Sequence, residues 1–158
     1  MWVAAIDDFA RVLLPGGRAV LLDSDHASRV TSALDYEVEA KINAAFMGQT
    51  PNPRAARLIP QQALLAGFTV DRDIGSAALV IPPQEMQRAP LVRIAAQQAV
   101  SDGTLSQAEA DEAVRAVREA AEAGRAFSAV TVFGFVLRKP DEAVTARSQA
   151  PLVRPDPA

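Results

Sequence analysis

Apolar positions at the start of the chain recur with helical spacing and then give way to an unbroken apolar run. The helical spacing over 2–14 is carried by Val3, Ile6, Ala10, Leu13 and Leu14, which predicts an amphipathic helix. Pro15 ends this helix because the residue before a proline avoids the helical region, and the two glycines after it supply a turn. Arg18–Leu22 then lacks polar alternation, which is typical of a strand covered on both faces.

The same patterns predict an α/β fold for the rest of the chain. The predicted elements are helices over 2–14, 35–47, 54–66, 84–100 and 107–123 and strands over 18–23, 68–75 and 127–138, with a short strand-like link over 77–81. Asp35 is predicted to cap its helix, Gly67 to follow one, and Ser106 with Glu109 to form a capping box. Residues 140–158 are rich in proline and predict a flexible tail.

Composition narrows the classes of function. Of the 158 residues, 49% are apolar and 22% are charged, and the formal net charge is -3. Basic residues are scattered among acids, which does not fit a nucleic-acid interface, so no nucleic-acid partner is expected. The chain has no cysteine and one histidine, His26, which excludes cysteine-bound zinc and a two-histidine site within one chain, so no metal is expected.

Targeting signals are not evident. The apolar start is short and is followed at once by Asp7 and Asp8, unlike a signal peptide. No window approaches the roughly 18 apolar residues of a membrane helix. We therefore expect a cytoplasmic protein with no membrane partner.

A polar cluster follows the first predicted strand. It consists of Asp23, Ser24, Asp25 and His26. Ligands of open α/β sheets bind just beyond the carboxyl ends of the strands, so Asp23, Asp25 and His26 are candidates for substrate binding, with His26 as a catalytic general base. The alternative is a turn, because Asp and Ser are common turn residues.

Three further features each have two interpretations. Arg54 and Arg57 lie one helical turn apart and either bind an anionic substrate or belong to a solvated helix face. The Pro15–Gly17 turn is either a phosphate cradle or a helix stop. The charged helix over 107–123 is either a partner surface or a solvated face with helical ion pairs.

Two motifs carry a resemblance to a known family. The segment Arg11-Val12-Leu13-Leu14-Pro15-Gly16-Gly17 resembles the helix end and turn before the fifth strand of class I S-adenosylmethionine-dependent methyltransferases, of the type 11 kind. Leu64-Leu65-Ala66-Gly67-Phe68 resembles the entry into their sixth strand, and a closing strand ends at Lys139. The resemblance covers residues 3 to about 139.

The resemblance implies a fold and an activity. It implies a partial Rossmann-like sheet of three main strands, in which the first lies beside the last and the last two are antiparallel. Residues 1–139 form the domain, and the helices over about 82–124 are an insert that lids a small-molecule pocket. The implied activity is methyl transfer to a small molecule.

The family's cofactor motifs are missing from these residues. There is no G-x-G-x-G loop after an initial strand and no acidic residue at the end of a second strand, although S-adenosylmethionine is the implied cofactor. Met1 falls inside the first helix, so we expect a substrate-side half that is inactive alone. The open edge of strand 18–22 is expected to pair in a homodimer or with a cofactor-binding partner. The alternatives are a non-catalytic oligomerising or ligand-binding module, and a reading frame whose true start lies upstream.

Overall fold

The computed structural model describes residues 2–71, 75–88 and 90–141. Within them, the helices are α1 Trp2–Val12, α2 Tyr36–Gln49, α3 Ile59–Leu65, α4 Pro83–Met86, α5 Pro90–Ser101 and α6 Gln107–Glu122, with a 3-10 helix at Ala55–Leu58. The strands are β1 Arg18–Thr31, β2 Thr69–Val70, β3 Gly75–Ile81 and β4 Ser128–Arg138. The predicted α/β class is confirmed.

Strand β4 is the shared partner in the sheet. The strand order is β1–β4–β2, and β3 also pairs with β4. β2 and β4 are antiparallel, with Thr69 opposite Arg138 and Val70 opposite Leu137. The predicted antiparallel pairing of the second and last main strands is therefore confirmed.

Strand β1 is longer than predicted, because the polar cluster lies within it and not after it. Backbone hydrogen bonds link Gly17 with Lys139 and Ser32 with Phe127, so β1 also runs antiparallel to β4. Between these two points β1 has 15 residue steps and β4 has 12, which indicates a bulged strand. Side chains within the cluster supply local acceptors for backbone N–H groups: Asp23 accepts the Ser24 N–H and Asp25 accepts the Ala27 N–H.

Two other predicted elements are divided differently. Of the strand predicted over 68–75, residues 72–74 lie outside the described residues, and the rest contains β2 at Thr69–Val70 and the first residue of β3, Gly75. The predicted link over 77–81 belongs to the full strand β3. The helix predicted over 84–100 is two helices, and Pro90 begins the second, as its missing N–H allows. The helix predicted over 54–66 is likewise a 3-10 helix followed by α3.

The predicted helix ends are mostly confirmed. The Asp35 side chain accepts a hydrogen bond from the Glu37 N–H at the start of α2. Gly67 follows α3 with a φ of 85°. At α6, the Ser106 N–H donates to the Glu109 carboxylate over 2.7 Å and the Glu109 N–H donates to the Ser106 hydroxyl. The hydrogen bonds from Ser106 lower the pKa of the Glu109 carboxyl.

The described chain divides into two compact units. The first comprises the described residues of Met1–Leu21, Leu58–Ile74 and Gly134–Ala158, and the second comprises those of Leu22–Arg57 and Gly75–Phe133. Of the predicted tail, residues 142–158 lie outside the described residues. None of the described helices is long and apolar enough to cross a membrane.

In the first unit, Lys139 forms hydrogen bonds with both the end of α1 and the turn that leads into β1. Its N–H donates to the Gly17 carbonyl and its own carbonyl accepts the Gly16 N–H. Its Nζ atom donates to the carbonyls of Ala10 and Leu13, at 2.6 and 2.7 Å. A cation there also opposes the negative end of the helix dipole. The turn is therefore a helix stop held by the closing strand.

The second unit has a core of small side chains. Helix α5 packs against α2 and α6, and α4 packs against α6. Most residues of this core are alanines, among them Ala95, Ala99, Ala113 and Ala121. Small side chains let helices approach closely, so the unit is sensitive to added volume.

We expect Lys139→Met to destabilise the protein by about 1–2 kcal/mol, because two helix carbonyls lose a charged donor while the apolar stem is kept. Urea unfolding at neutral pH measures this. Lys41→Met is the control and should cost less, since Lys41 acts only through its charge on the exposed Glu109 carboxyl, whose pKa it helps to lower. Equal effects of the two substitutions would contradict the capping role.

Candidate functional site

A buried ion pair lies at the polar cluster of β1. The Asp25 side chain is 4% exposed, and its Oδ2 atom accepts hydrogen bonds from Arg57 Nε at 2.9 Å and Nη2 at 2.5 Å. The other oxygen, Oδ1, accepts from the Ala27 N–H at 3.3 Å. Both oxygens of Asp25 are therefore occupied by the chain itself, which favours a structural role. Of the two predicted arginines, Arg57 therefore binds Asp25, and Arg54 does not take part in this ion pair.

The two other predicted residues of the cluster differ in their surroundings. Asp23 Oδ1 accepts a hydrogen bond from the Ser24 N–H at 2.8 Å, as in a local turn. The His26 backbone N–H donates to the Pro53 carbonyl at 3.0 Å. Its ring lies 5.7 Å from the ring of Phe46, centroid to centroid, and its Nδ1 atom is buried without a hydrogen-bond partner.

An unpaired arginine lies on the same strand. The guanidinium carbon of Arg29 lies 4.4 Å from the centroid of the Phe46 ring, an arrangement worth roughly 0.5–2 kcal/mol. Its Nε atom is buried without a hydrogen-bond partner. Asn43 Nδ2 donates to the Arg29 carbonyl at 3.2 Å, which fixes the backbone there.

Arg29 lines a pocket of about 180 Å³, called here the Arg29 pocket. Its apolar wall is formed by Ile81 of β3, Met86 of α4, and Leu91 and Val92 of α5. Two further polar residues, Glu85 and Ser128, also line it. The Ser128 hydroxyl is satisfied, because it donates to the Val30 carbonyl at 2.9 Å. The pocket is thus an apolar space with one cation whose Nε lacks a partner.

Among the described residues, Arg29 forms no ion pair, although Glu85 lines the same pocket. Burial lowers the pKa of Arg29, because the charged form loses part of its hydration. Glu39, on the neighbouring helix α2, has Oε1 occupied by the Thr31 N–H at 2.5 Å. A guanidinium nevertheless stays charged in proteins. This arrangement can bind an anion and orient the apolar group attached to it.

The structure brings together some predicted residues and adds two that sequence reasoning missed. Asp25, His26 and Arg57 belong to one local cluster, whereas substrate contact by Asp23, Asp25 or His26 stays a prediction. Arg29 and Phe46 were missed. The signal for Arg29 was a lone cation between small and β-branched residues, but it has meaning only once β1 is known to continue past the cluster. Among the described residues, no group of three or more His, Cys, Asp or Glu side chains could hold a metal ion.

We expect Arg57→Ala to destabilise the protein by about 1–3 kcal/mol, because Asp25 is then buried without its cation. This is less than the roughly 3–5 kcal/mol of a fully buried pair, since the Arg57 side chain is 50% exposed. Arg54→Ala is the matched control and should change the free energy of unfolding by less than about 0.5 kcal/mol. Similar losses for both variants in urea unfolding would refute the distinction.

Comparison with known proteins does not assign a family. No protein-family model matches the sequence, and no curated protein is significantly similar to it.

Proposed function

We propose that this chain is the substrate side of a class I methyltransferase-like protein that acts on a small molecule. The observation that carries the proposal is the strand order β1–β4–β2. The resemblance implies that the first main strand lies beside the last and that the last two are antiparallel. The register of β2 on β4 and the backbone bonds between β1 and β4 support that arrangement.

The walls of the Arg29 pocket give a second line of support. The resemblance implies that the helices over about 82–124 lid a substrate pocket. Met86, Leu91 and Val92 come from that insert and form most of the apolar wall. The insert would therefore exclude water from a bound molecule, which is the role that the resemblance implies for it.

The two glycines of the Pro15–Gly17 turn do not form a cofactor cradle. A side chain at Gly16 would meet Asp141 Oδ1 at 2.7 Å, and one at Gly17 would meet the Leu14 carbonyl at 2.7 Å. The chain itself thus fills the space around both glycines, and neither offers a cradle for a phosphate or nucleoside. We therefore assign the acceptor side, and not S-adenosylmethionine, to the described residues.

The contribution of these residues is to bind and orient the acceptor. Methyl transfer depends chiefly on aligning the attacking atom with the methyl group. Arg29 and the apolar wall would fix the acceptor. His26 does not line the Arg29 pocket, and its role as a general base stays a prediction of the sequence. A base is useful only where the attacking atom carries a proton.

We expect S-adenosylmethionine to bind the complete protein and not this chain alone. Calorimetric titration of S-adenosylmethionine into this chain should not saturate below about 1 mM. The product of the whole uninterrupted reading frame that contains these 158 residues, alone or with its cofactor-binding partner chain, should bind it at micromolar concentration. Micromolar binding by this chain alone would overturn our assignment of the cofactor to other residues. Binding by neither protein would overturn the methyltransferase proposal.

A second candidate function is a non-catalytic oligomerising module, and the edge of the sheet favours it. Among the described strands, β1 pairs with β4 alone, and the side chains of Val20 and Leu22 are 65% and 68% exposed. A second copy fits this edge. Antiparallel self-pairing centred on Val20 places Arg18 opposite Leu22, so like charges do not face each other across the two-fold axis.

We expect light scattering to give the mass of a dimer for the purified chain, and of a monomer for Val20→Lys, because a charge on an edge strand opposes pairing. Leu65→Lys is the matched control, since Leu65 is 81% exposed at the end of α3 and should leave the dimer intact. A monomeric unmodified chain would exclude this pairing.

A further inference from the structure

Arg29 differs from the arginines of the described chain that form ion pairs. Arg11, Arg57, Arg115 and Arg138 each have a carboxylate partner within salt-bridge distance. Arg29 is half-buried, and among the described residues its guanidinium contacts the ring of Phe46 and forms no ion pair. A half-buried cation without a counter-ion has lost part of its hydration, and binding an anion offsets that loss.

From this we propose that the Arg29 pocket binds a small carboxylate with an apolar body, the carboxylate on the Arg29 guanidinium and the body against the insert helices. This carboxylate would be the acceptor substrate of the proposed methyltransferase, and in that respect the inference rests on the proposed function. The binding itself needs only residues of this chain.

The geometry favours a carboxylate over other anions. A guanidinium offers parallel donors that match the two oxygens of a carboxylate. Phosphate carries more charge and is usually held by several donors, whereas the rest of this wall is Ile81, Met86, Leu91 and Val92. Glu85 also lines the pocket, and its negative charge disfavours a doubly charged ligand more than a singly charged one.

The size of the pocket limits the apolar body. Its volume of about 180 Å³ is below the roughly 300 Å³ at which pockets for drug-sized ligands begin. A single aromatic ring or a short aliphatic chain is the appropriate scale. Benzoate is therefore a suitable probe, and benzamide is its neutral match, with the same ring and nearly the same shape.

The test is an NMR titration of the whole chain that follows the Arg29 Nε–H signal. Benzoate should shift this signal with saturation in the millimolar range or below, and benzamide should bind at least tenfold more weakly. Inorganic phosphate at the same concentration should leave the signal in place. Equal binding of benzoate and benzamide, a response to phosphate alone, or no response to benzoate would overturn the proposal.

Two variants separate the charge from the apolar wall. Arg29→Gln should weaken benzoate binding at least tenfold, followed through backbone amide signals, while Arg54→Gln should not change it. Leu91→Trp should weaken binding without altering Arg29, because Leu91 is 39% exposed at the pocket wall and a larger ring there fills the space. Unchanged affinity in either Arg29→Gln or Leu91→Trp would contradict the assignment, and the second variant keeps the test decisive if the first fails to fold.

The outcome is separable from that of the proposed function. The titration contains no S-adenosylmethionine and measures no turnover. If benzoate binds but no product of the gene binds S-adenosylmethionine, the carboxylate site is supported and the methyltransferase proposal is overturned. If S-adenosylmethionine binds but benzoate does not, the methyltransferase proposal is supported and the carboxylate site is overturned.

Discussion

The pairing of every other strand with β4 is the constraint on which the rest of the described structure depends. β1, β2 and β3 each bond to β4, so the sheet exists only if the last strand of the described chain is in place. The residue after it, Lys139, closes the Pro15–Gly17 turn and caps α1 through two carbonyls. Early and late segments of the chain therefore depend on each other for stability, and pairing of such distant segments costs loop-closure entropy before it returns any free energy.

The continuation of β1 past its polar cluster is what creates the candidate site. If the strand ended at Leu22, Arg29 would lie in a loop and its charge would be solvated. Because β1 runs to Thr31, Arg29 lies within the strand, where it contacts the ring of Phe46 and lines a pocket with Met86, Leu91 and Val92. Asp25 and Arg29 then illustrate two outcomes of burial on one strand. The charge of Asp25 is balanced by Arg57, whereas Arg29 forms no ion pair among the described residues.

Local patterns predicted the parts of the fold that local chemistry decides. Helix spacing, the Asp35 cap, the Ser106–Glu109 box and the glycine after α3 depend on a few neighbouring residues, and the structure confirms them. The length of β1 was not predictable from such patterns, because its polar residues also depend on contacts with Pro53 and Arg57, which are distant in sequence. The Arg29 pocket is lined by five separate elements, so local patterns could not predict it either. The resemblance, by contrast, implied the antiparallel last strands, and it remains the basis of the functional proposal.

The most direct test of the strand order is a set of nuclear Overhauser contacts in the labelled chain. The structure predicts cross-strand contacts between Ser32 and Phe127, and between Thr69 and Arg138, since each pair lies opposite in an antiparallel ladder. Observation of both sets would place β4 between β1 and β2. Contacts that pair β2 directly with β1 would contradict the order, and with it the support that the fold gives to a methyltransferase-like substrate side.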